Sequence, residues 1–394
     1  MPVSIDDLFT RAVSEIITED ELRAKLKLGR PLRLKLGMDP SRPNLHVGHA
    51  VGLRKLRAFQ DLGHTIVLII GDWTAQIGDP SGRDESRQML TSDLVCANAQ
   101  TYMDQFFLIM DKDKTEVRWQ TEWYGSFSLA DVFNLSSRFT LADMLAHETF
   151  RRRWDEGHPV SIMELMYPLL QGYDSVVVQS DVEFGGTDQK FNNLAGRQLQ
   201  ASLGQPPQSV FLWPLLVGLD GRKMSKSFGN TIDLTDPPGE MYGKVMSTAD
   251  AVLLEYFVAT TDVPLPEIDE MHRSMAAGGI NPRDLKMRLG REIVTMFHGA
   301  AAAQSAQDEF VRIFQRRELP SDMPTVALSA PTPLVDLLLA ANLAASKSEA
   351  RRLIAQGGVE IAGEKVSDPQ TVVPAQDGLV IQVGKRRFLR VVAG

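Results

Sequence analysis

Two histidines three positions apart with a glycine between them, His46-Val-Gly48-His49, are the first side chains in this sequence whose spacing could do chemistry. On a helix they share one face, and Gly48 has no Cβ to hold a planar base at a distance. Two imidazoles so placed can hydrogen-bond phosphate oxygens whose charge grows during reaction. The same pair also suits a solvated helix face or half of a metal site. A zinc centre needs further ligands, and the chain offers only Cys96 and five scattered histidines, so no metal site is expected. A second group is Lys223-Met-Ser-Lys226-Ser227-Phe-Gly-Asn, two ammonium groups three apart in a loop ending in glycine. Such a loop can close on a polyphosphate and neutralise a leaving pyrophosphate, or be no more than an exposed basic turn. A third is Tyr167, Gln171 and Asp174, whose spacing puts three polar groups on one face of a mostly apolar helix, either around a ligand or as a structural network.

These groups need elements to hold them. Leu32, Leu34 and Leu36 alternate with Arg33 and Lys35 as a strand, which breaks at Gly37. A polar turn through Asp39, Pro40, Ser41, Pro43 and Asn44 leads into a helix near His46, bearing Val51, Leu53, Leu56 and Phe59 on its apolar face and ending at Gly63. Strand, glycine, turn and helix in that order open a nucleotide-binding α/β unit, where a helix N-terminus attracts phosphate. The apolar run Thr65–Gly71 suits a parallel strand covered on both faces, and it opens into a loop holding Asp79. Residues 1–30 read as an amphipathic helical start. Residues 95–165 read as a helical insertion with a strand at Val117–Trp123, serving as an oligomer interface or as plain structure. A helix over 161–174, a strand over 176–179, a loop from Glu183 to Gln189, a helix over 190–202 and a strand over 209–217 complete the sheet. Beyond it the period is helical, with Asn281-Pro282 as a start signal and Leu285, Leu289, Ile293, Met296 and Phe297 on one face. The expected division is a Rossmann-like catalytic domain over 1–232, an α-helical domain over 233–317, a linker over 318–332 and a small α+β RNA-binding domain over 333–394.

Composition narrows the class. Hydrophobic content of 43% and charged content of 23% are those of an ordinary globular protein. One cysteine excludes a disulfide framework and fits a reducing cytoplasm; no membrane span or signal peptide is visible. The net charge of −8 disfavours indiscriminate coating of nucleic acid. From Leu334 onward, however, eight basic residues face six acidic ones, so the tail differs in sign from the body.

The motifs at 46–49 and 223–227, in that order, resemble the two signatures of class I aminoacyl-tRNA synthetases. Tyr167-Pro-Leu-Leu-Gln171-Gly-Tyr-Asp174 and Gly185-Gly186-Thr-Asp188-Gln189 resemble, more narrowly, the tyrosyl-tRNA synthetases of bacteria. That resemblance implies activation of L-tyrosine by ATP with Mg²⁺, then transfer to tRNA(Tyr), by a cytoplasmic homodimer. It assigns Asp79, Tyr167 and Gln171 to the α-ammonium of tyrosine, Gln189 to the region of its carboxylate and Asp174 to the phenol hydrogen. Gly186 and Asp188 would meet the ribose, with Gly37, Asp39 and Gly48 lining the ATP side. Ser41, His46, His49, Arg83, Arg87, Lys223, Lys226 and Ser227 would face the phosphates. Many members carry a tyrosine where this chain has Lys35; Arg33-x-Lys35-x-Gly37 resembles a second bacterial branch, in which Lys35 is placed at the phenol. Leu36 offers the ribose no hydrogen bond. The tail, over Ala345–Val366, resembles a small RNA-binding fold first named for a ribosomal protein of the small subunit. There Lys347, Arg351, Arg352 and the run Lys385, Arg386 and Arg387 are the implied RNA contacts.

Three other readings remain. A tryptophan-charging sister shares the fold, but Asp174 and the tail argue against it. A small-molecule adenylyltransferase would use a His-x-Gly-His element without needing the tail. A non-catalytic RNA-binding regulator would not need His46, His49, Lys223 and Lys226.

Overall fold

Six short apolar runs supply the strands of the first sheet: β1 (Glu15–Ile17), β2 (Arg33–Met38), β3 (Thr65–Ile70), β4 (Thr115–Trp119), β5 (Val182–Gly186) and β6 (Ser209–Trp213). The structure is a computed structural model describing residues 5–41, 44–81, 89–222, 224, 228–316, 318–320, 323–384 and 387–394. The chain separates into two units, Met1–Gln307 and Asp308–Gly394. Sheet order is β1-β6-β5-β2-β3-β4, parallel except for β1, which runs antiparallel to β6. From β2 the chain builds outward through β3 to β4, then returns to the other side of β2 with β5 and β6. That reversal opens a crevice between the carboxyl ends of β2 and β5, the place where open α/β sheets bind ligands.

Helix Val47–Asp61 covers the sheet through the residues its periodicity singles out, Val51, Leu53, Leu56 and Phe59, all buried. The Phe59 ring meets the edge of Phe184 at 5.6 Å, and Phe184 stacks on Phe211 at 4.8 Å, linking the helix to β5 and β6. On the other side, helix Ile162–Val178 begins at a capping box between Ser161 and Glu164 and packs along helix Lys190–Ser202. Helix Pro282–His298 starts at the Asn281 cap, with proline at its first position and Leu285, Leu289 and Ile293 buried.

Several expectations are corrected. Residues 1–30 are not helical throughout: helices Ile5–Thr10 and Glu19–Leu26 flank β1, an edge strand paired with β6. The segment 95–165 is not wholly an insertion, because β4 lies within it and pairs with β3 from Ile66↔Thr115 to Ile70↔Trp119. The strand expected at 176–179 is the last turn of helix Ile162–Val178, which ends at Gln179 with φ +50°. Val176, Val177 and Val178 favour strands in isolation, but here packing in the helix decides. Packing against Trp123 and Tyr124 involves Val177 and Val178. The strand starts instead at Val182 and runs to Gly186, so its last four residues fall inside what read as a loop.

The second unit has its own core. Helices Leu334–Ala340 and Lys347–Ala355 pack on strands β9 (Val359–Ile361), β12 (Val380–Val383) and β13 (Arg387–Ala393), burying Leu334, Leu338, Ile354 and Ile381. The sheet order is β10 (Glu364–Val366), β9, β12, β13, β7 (Thr325–Leu328). A short pair, β8 (Thr332–Pro333) with β11 (Val372–Val373), closes the base of the first helix. The supposed linker therefore contains structure: β7 runs parallel to β13, from Thr325↔Arg390 to Leu328↔Ala393.

Candidate active site

The crevice between β2 and β5 holds a cavity of about 740 Å³. Its walls come from the ends of β2 (Leu36, Gly37, Met38, then Asp39 and Ser41), β3 (Gly71, Thr74, then Asp79) and β5 (Gly185, Gly186, then Asp188 and Gln189). Helix Ile162–Val178 adds Tyr167, Gln171 and Asp174, and His46, Gly48 and His49 form another wall. Met224, from the lysine-rich loop, lines the same cavity, and a Cβ on Gly48 would lie 3.3 Å from its sulfur. The two motifs, which begin 177 positions apart at His46 and Lys223, are tied together at their flanks: Val47 N–H donates to Ile232 and Leu234 N–H to Leu45. Arg83, Arg87, Lys223, Lys226 and Ser227 lie outside the described residues.

The two histidines stand at the N-terminus of helix Val47–Asp61, with His46 as its cap. His49 Nδ1 accepts the His46 N–H at 3.1 Å, so the neutral ring carries its proton on Nε2. The rings lie 4.0 Å apart. Helix dipole, backbone N–H groups and imidazoles together make this end a receptor for anionic oxygen.

At the far end of the cavity Asp174 is 2% exposed, accepting from Gln120 Nε2 at 2.8 Å and Trp123 Nε1 at 3.2 Å. Burial pushes its carboxyl up to about 7. The Lys35 ammonium and the Gln120 and Trp123 donors pull it down, while the Glu183 carboxylate adds to the rise. Gln120 is held in turn by the turn after β3, its Oε1 accepting from Thr74 N at 2.9 Å. Asp39 does not stand free on the nucleotide side: Tyr167 Oη donates to its Oδ2 at 2.9 Å and Thr74 Oγ1 to its Oδ1 at 2.7 Å. Gly71 belongs to this contact, because a Cβ there would lie 2.2 Å from Asp39 Oδ1. Asp79 and Gln189 are joined at 2.6 Å across the cavity mouth. The cavity thus offers an anion receptor at one end and a buried carboxylate among aromatic rings at the other, with polar groups between.

Lys35 is the exception among the described residues expected at this cavity. It does not line the cavity; it is fully buried behind the wall, donating to Gln171 O at 2.7 Å, Ser175 Oγ at 2.8 Å and Glu183 Oε1 at 2.9 Å. On a strand with helices on both faces, both sets of alternating side chains are buried, and this lysine points toward helix Ile162–Val178. Gln120, Trp123 and Thr74 were missed by the sequence reading. Gln120 directly follows β4, and placing the strand end at Trp123 hid the fact that it lies at a carboxyl terminus.

Residues 27–315 match the family profile described as tRNA synthetases class I (W and Y), and residues 315–391 match the tyrosine–tRNA ligase SYY-like C-terminal domain. The tyrosine–tRNA ligase of Dehalococcoides mccartyi is 54% identical over 391 residues, covering 98% of each chain. The chain belongs to the tyrosine–tRNA ligases of class I. The ligase of Thermotoga maritima is 52% identical over 98% of this chain and 97% of its own. Among solved structures, a tyrosyl-tRNA synthetase from Archaeoglobus fulgidus complexed with L-tyrosine has the same fold (TM-score 0.61, 23% identity, 76% of this chain and 98% of that one). So does a truncated mitochondrial tyrosyl-tRNA synthetase from Aspergillus nidulans (TM-score 0.62, 21% identity, 77% and 91%).

In the second unit Lys347 is paired with Asp336 at 2.8 Å, while Arg351 and Arg352 are exposed on the same helix. Arg387 donates to the Leu343 carbonyl at 2.6 Å. Lys385 and Arg386 lie outside the described residues. No described helix is long and apolar enough to cross a membrane.

Proposed function

We infer that this chain activates L-tyrosine with ATP and transfers it to tRNA(Tyr), and that the crevice between β2 and β5 carries out the first step. The observation that supports this reading is the single cavity with His46, His49 and Met224 at one end and Asp174 at the other. Tyrosine enters with its ring between the helix Ile162–Val178 and β2, its phenol donating to Asp174, and its ammonium facing Asp79, Tyr167 and Gln171. ATP lies across Gly37, Asp39 and Gly48, with its ribose toward Gly186 and Asp188. The glycine positions allow close approach: a Cβ on Gly186 would lie 2.8 Å from Asp188 Oδ1, closing the space beside it.

The carboxylate then attacks the α-phosphorus in line and pyrophosphate departs. No protein nucleophile takes part: the chain supplies alignment of two reactants and charge stabilisation. Ser41, His46 and His49 meet the phosphates from the helix end, and Arg83, Arg87, Lys223, Lys226 and Ser227 are assigned to the leaving pyrophosphate. Mg²⁺ arrives with ATP, held by phosphate and water, the usual binding mode of that ion. Phenylalanine is refused because it displaces water from Asp174 without supplying the phenol donor, leaving the buried carboxyl only its bonds from Gln120 and Trp123. The mixed anhydride is finally attacked by a ribose hydroxyl of the tRNA end. Arg351, Arg352, Lys347 and Lys385–Arg387 contribute cationic contacts to that RNA.

We assign homodimer formation to the segment after β4. Leu129 and Phe133, one helical turn apart, are 67% and 63% exposed, and Leu141 on the next helix is 51% exposed, an apolar surface suited to a second copy. Amino-acid-dependent pyrophosphate exchange tests the site. Tyrosine alone among the twenty amino acids should support it, and Asp174→Ala should lose at least about 100-fold in kcat/KM, whereas exposed Ser92→Ala should keep it. Equal activity of the two variants would refute the assignment.

A further inference from the structure

Behind the amino-acid end of the cavity lies an ion pair sealed from water. Lys35 on β2 and Glu183 on β5 are direct partners in the parallel register, and each is 0% exposed. All three Lys35 ammonium protons have acceptors: the Gln171 carbonyl, Ser175 Oγ and Glu183 Oε1. None is left for a ligand. Gln171 O and Ser175 Oγ bracket the single helical turn that carries Asp174. Glu183 holds the other side of that turn, accepting from Gln171 Nε2 at 3.2 Å and Ser175 Oγ at 3.1 Å. The turn that presents Gln171 and Asp174 to the cavity is thereby fastened to the two strands that form the crevice.

We propose that Lys35 is a positioning residue for amino-acid selection: it touches no substrate, and through the turn Gln171–Ser175 it orients Gln171 and keeps Asp174 an acceptor for the phenol. The proposal rests on the reading of Asp174 as that acceptor. The charged and titratable groups around Asp174 are Lys35 from β2, Glu183 from β5, Tyr124 from the segment after β4 and Tyr167 from its own helix. Among the described residues Lys35 is the one cation in this set. Its charge favours the carboxylate against burial and against Glu183, in the same direction as its hydrogen bonds.

The test is tyrosine-dependent pyrophosphate exchange by the full chain from about pH 6 to 9, with a double-mutant cycle between positions 35 and 174. Lys35→Met should raise the KM for tyrosine about tenfold near neutral pH, leave kcat and the KM for ATP within about twofold, and move the midpoint of the tyrosine KM profile to higher pH. In an Asp174→Asn background the same change should add no more than about threefold, because the part of its effect that runs through Asp174 is already gone and only the orientation of Gln171 remains. Lys35→Met/Glu183→Gln leaves no uncompensated buried charge and should show an upward shift of the same sign but smaller, because the opposing Glu183 charge is removed with the lysine. An unchanged KM and midpoint, effects that multiply fully across the cycle, or failure of both Lys35 variants to fold would each overturn the proposal. If wild type itself shows no tyrosine preference, or Asp174→Asn has a normal KM, the reading of Asp174 fails; if those hold and Lys35→Met is silent, only the role of Lys35 fails.

Discussion

An aspartate closed in by Trp123, Gln120 and Tyr167 has two consequences that follow from its proton alone. Its ordinary value near 3.8 rises to about 7 because burial penalises the charged form. Between those limits the folded protein holds a proton that the unfolded chain has released, so the contribution of this group to stability declines as pH rises through the window. Asp174→Asn should flatten that part of a stability-against-pH curve measured by urea unfolding. The catalytic consequence has the opposite slope: a phenol donates to a carboxylate, so the KM for tyrosine should fall as pH rises through about 7, and Asp174→Asn should abolish the dependence. A flat wild-type profile from pH 6 to 8 would contradict this.

Helices Ile162–Val178 and Lys190–Ser202 meet where each carries a glycine. A Cβ on Gly196 would come 2.7 Å from Gln208 Nε2, 2.8 Å from Ser175 Oγ and 3.1 Å from Glu183 Oε2, all members of the buried network around Lys35. Gly196→Ala should therefore destabilise by about 1–3 kcal/mol, the range for overpacking, despite alanine's better helix propensity. Chemical denaturation measures the stability, and a raised KM for tyrosine with an unchanged KM for ATP should accompany the loss. A stabilised Gly196→Ala would mean that the network has room to yield.

At the scale of the molecule, activation and RNA recognition are assigned to different units. Removing 318–394 deletes β7 together with its partner β13, whereas a cut at 333 would leave β7 with its pairing groups exposed. The shortened chain should keep tyrosine-dependent pyrophosphate exchange and lose most tRNA charging; intact charging would refute the role of the tail. The exposed Leu129 and Phe133 make a second prediction. Changing both to aspartate should convert a dimer to a monomer in sedimentation at micromolar concentration, since charges in an apolar contact cost several kcal/mol.

His46-Val-Gly48-His49, the lysine loop and the Tyr167–Asp174 spacing were legible in the sequence because each is local: a few residues, one turn or one helix face. So were the strands at 33–38 and 65–70, although the first runs on through Gly37, where the sequence placed its end, to Met38 paired with Ile70; so was the helix begun by Asn281-Pro282. What required tertiary structure is everything that depends on a neighbour distant in sequence. Val176–Val178 are helical because of what they pack against, and Thr325–Leu328 is a strand because β13 lies beside it. Gln120 is a site residue because β4 ends next to Asp174. Lys35 occupies a position that the resemblance had placed against a phenol, yet its side chain turns to Glu183 behind the wall. Residue types and spacing determine which chemistry the chain can perform, because side-chain groups are fixed by sequence. Which face a buried cation turns to is decided by where its counter-charge lies, and that lies on a strand nearly 150 positions away.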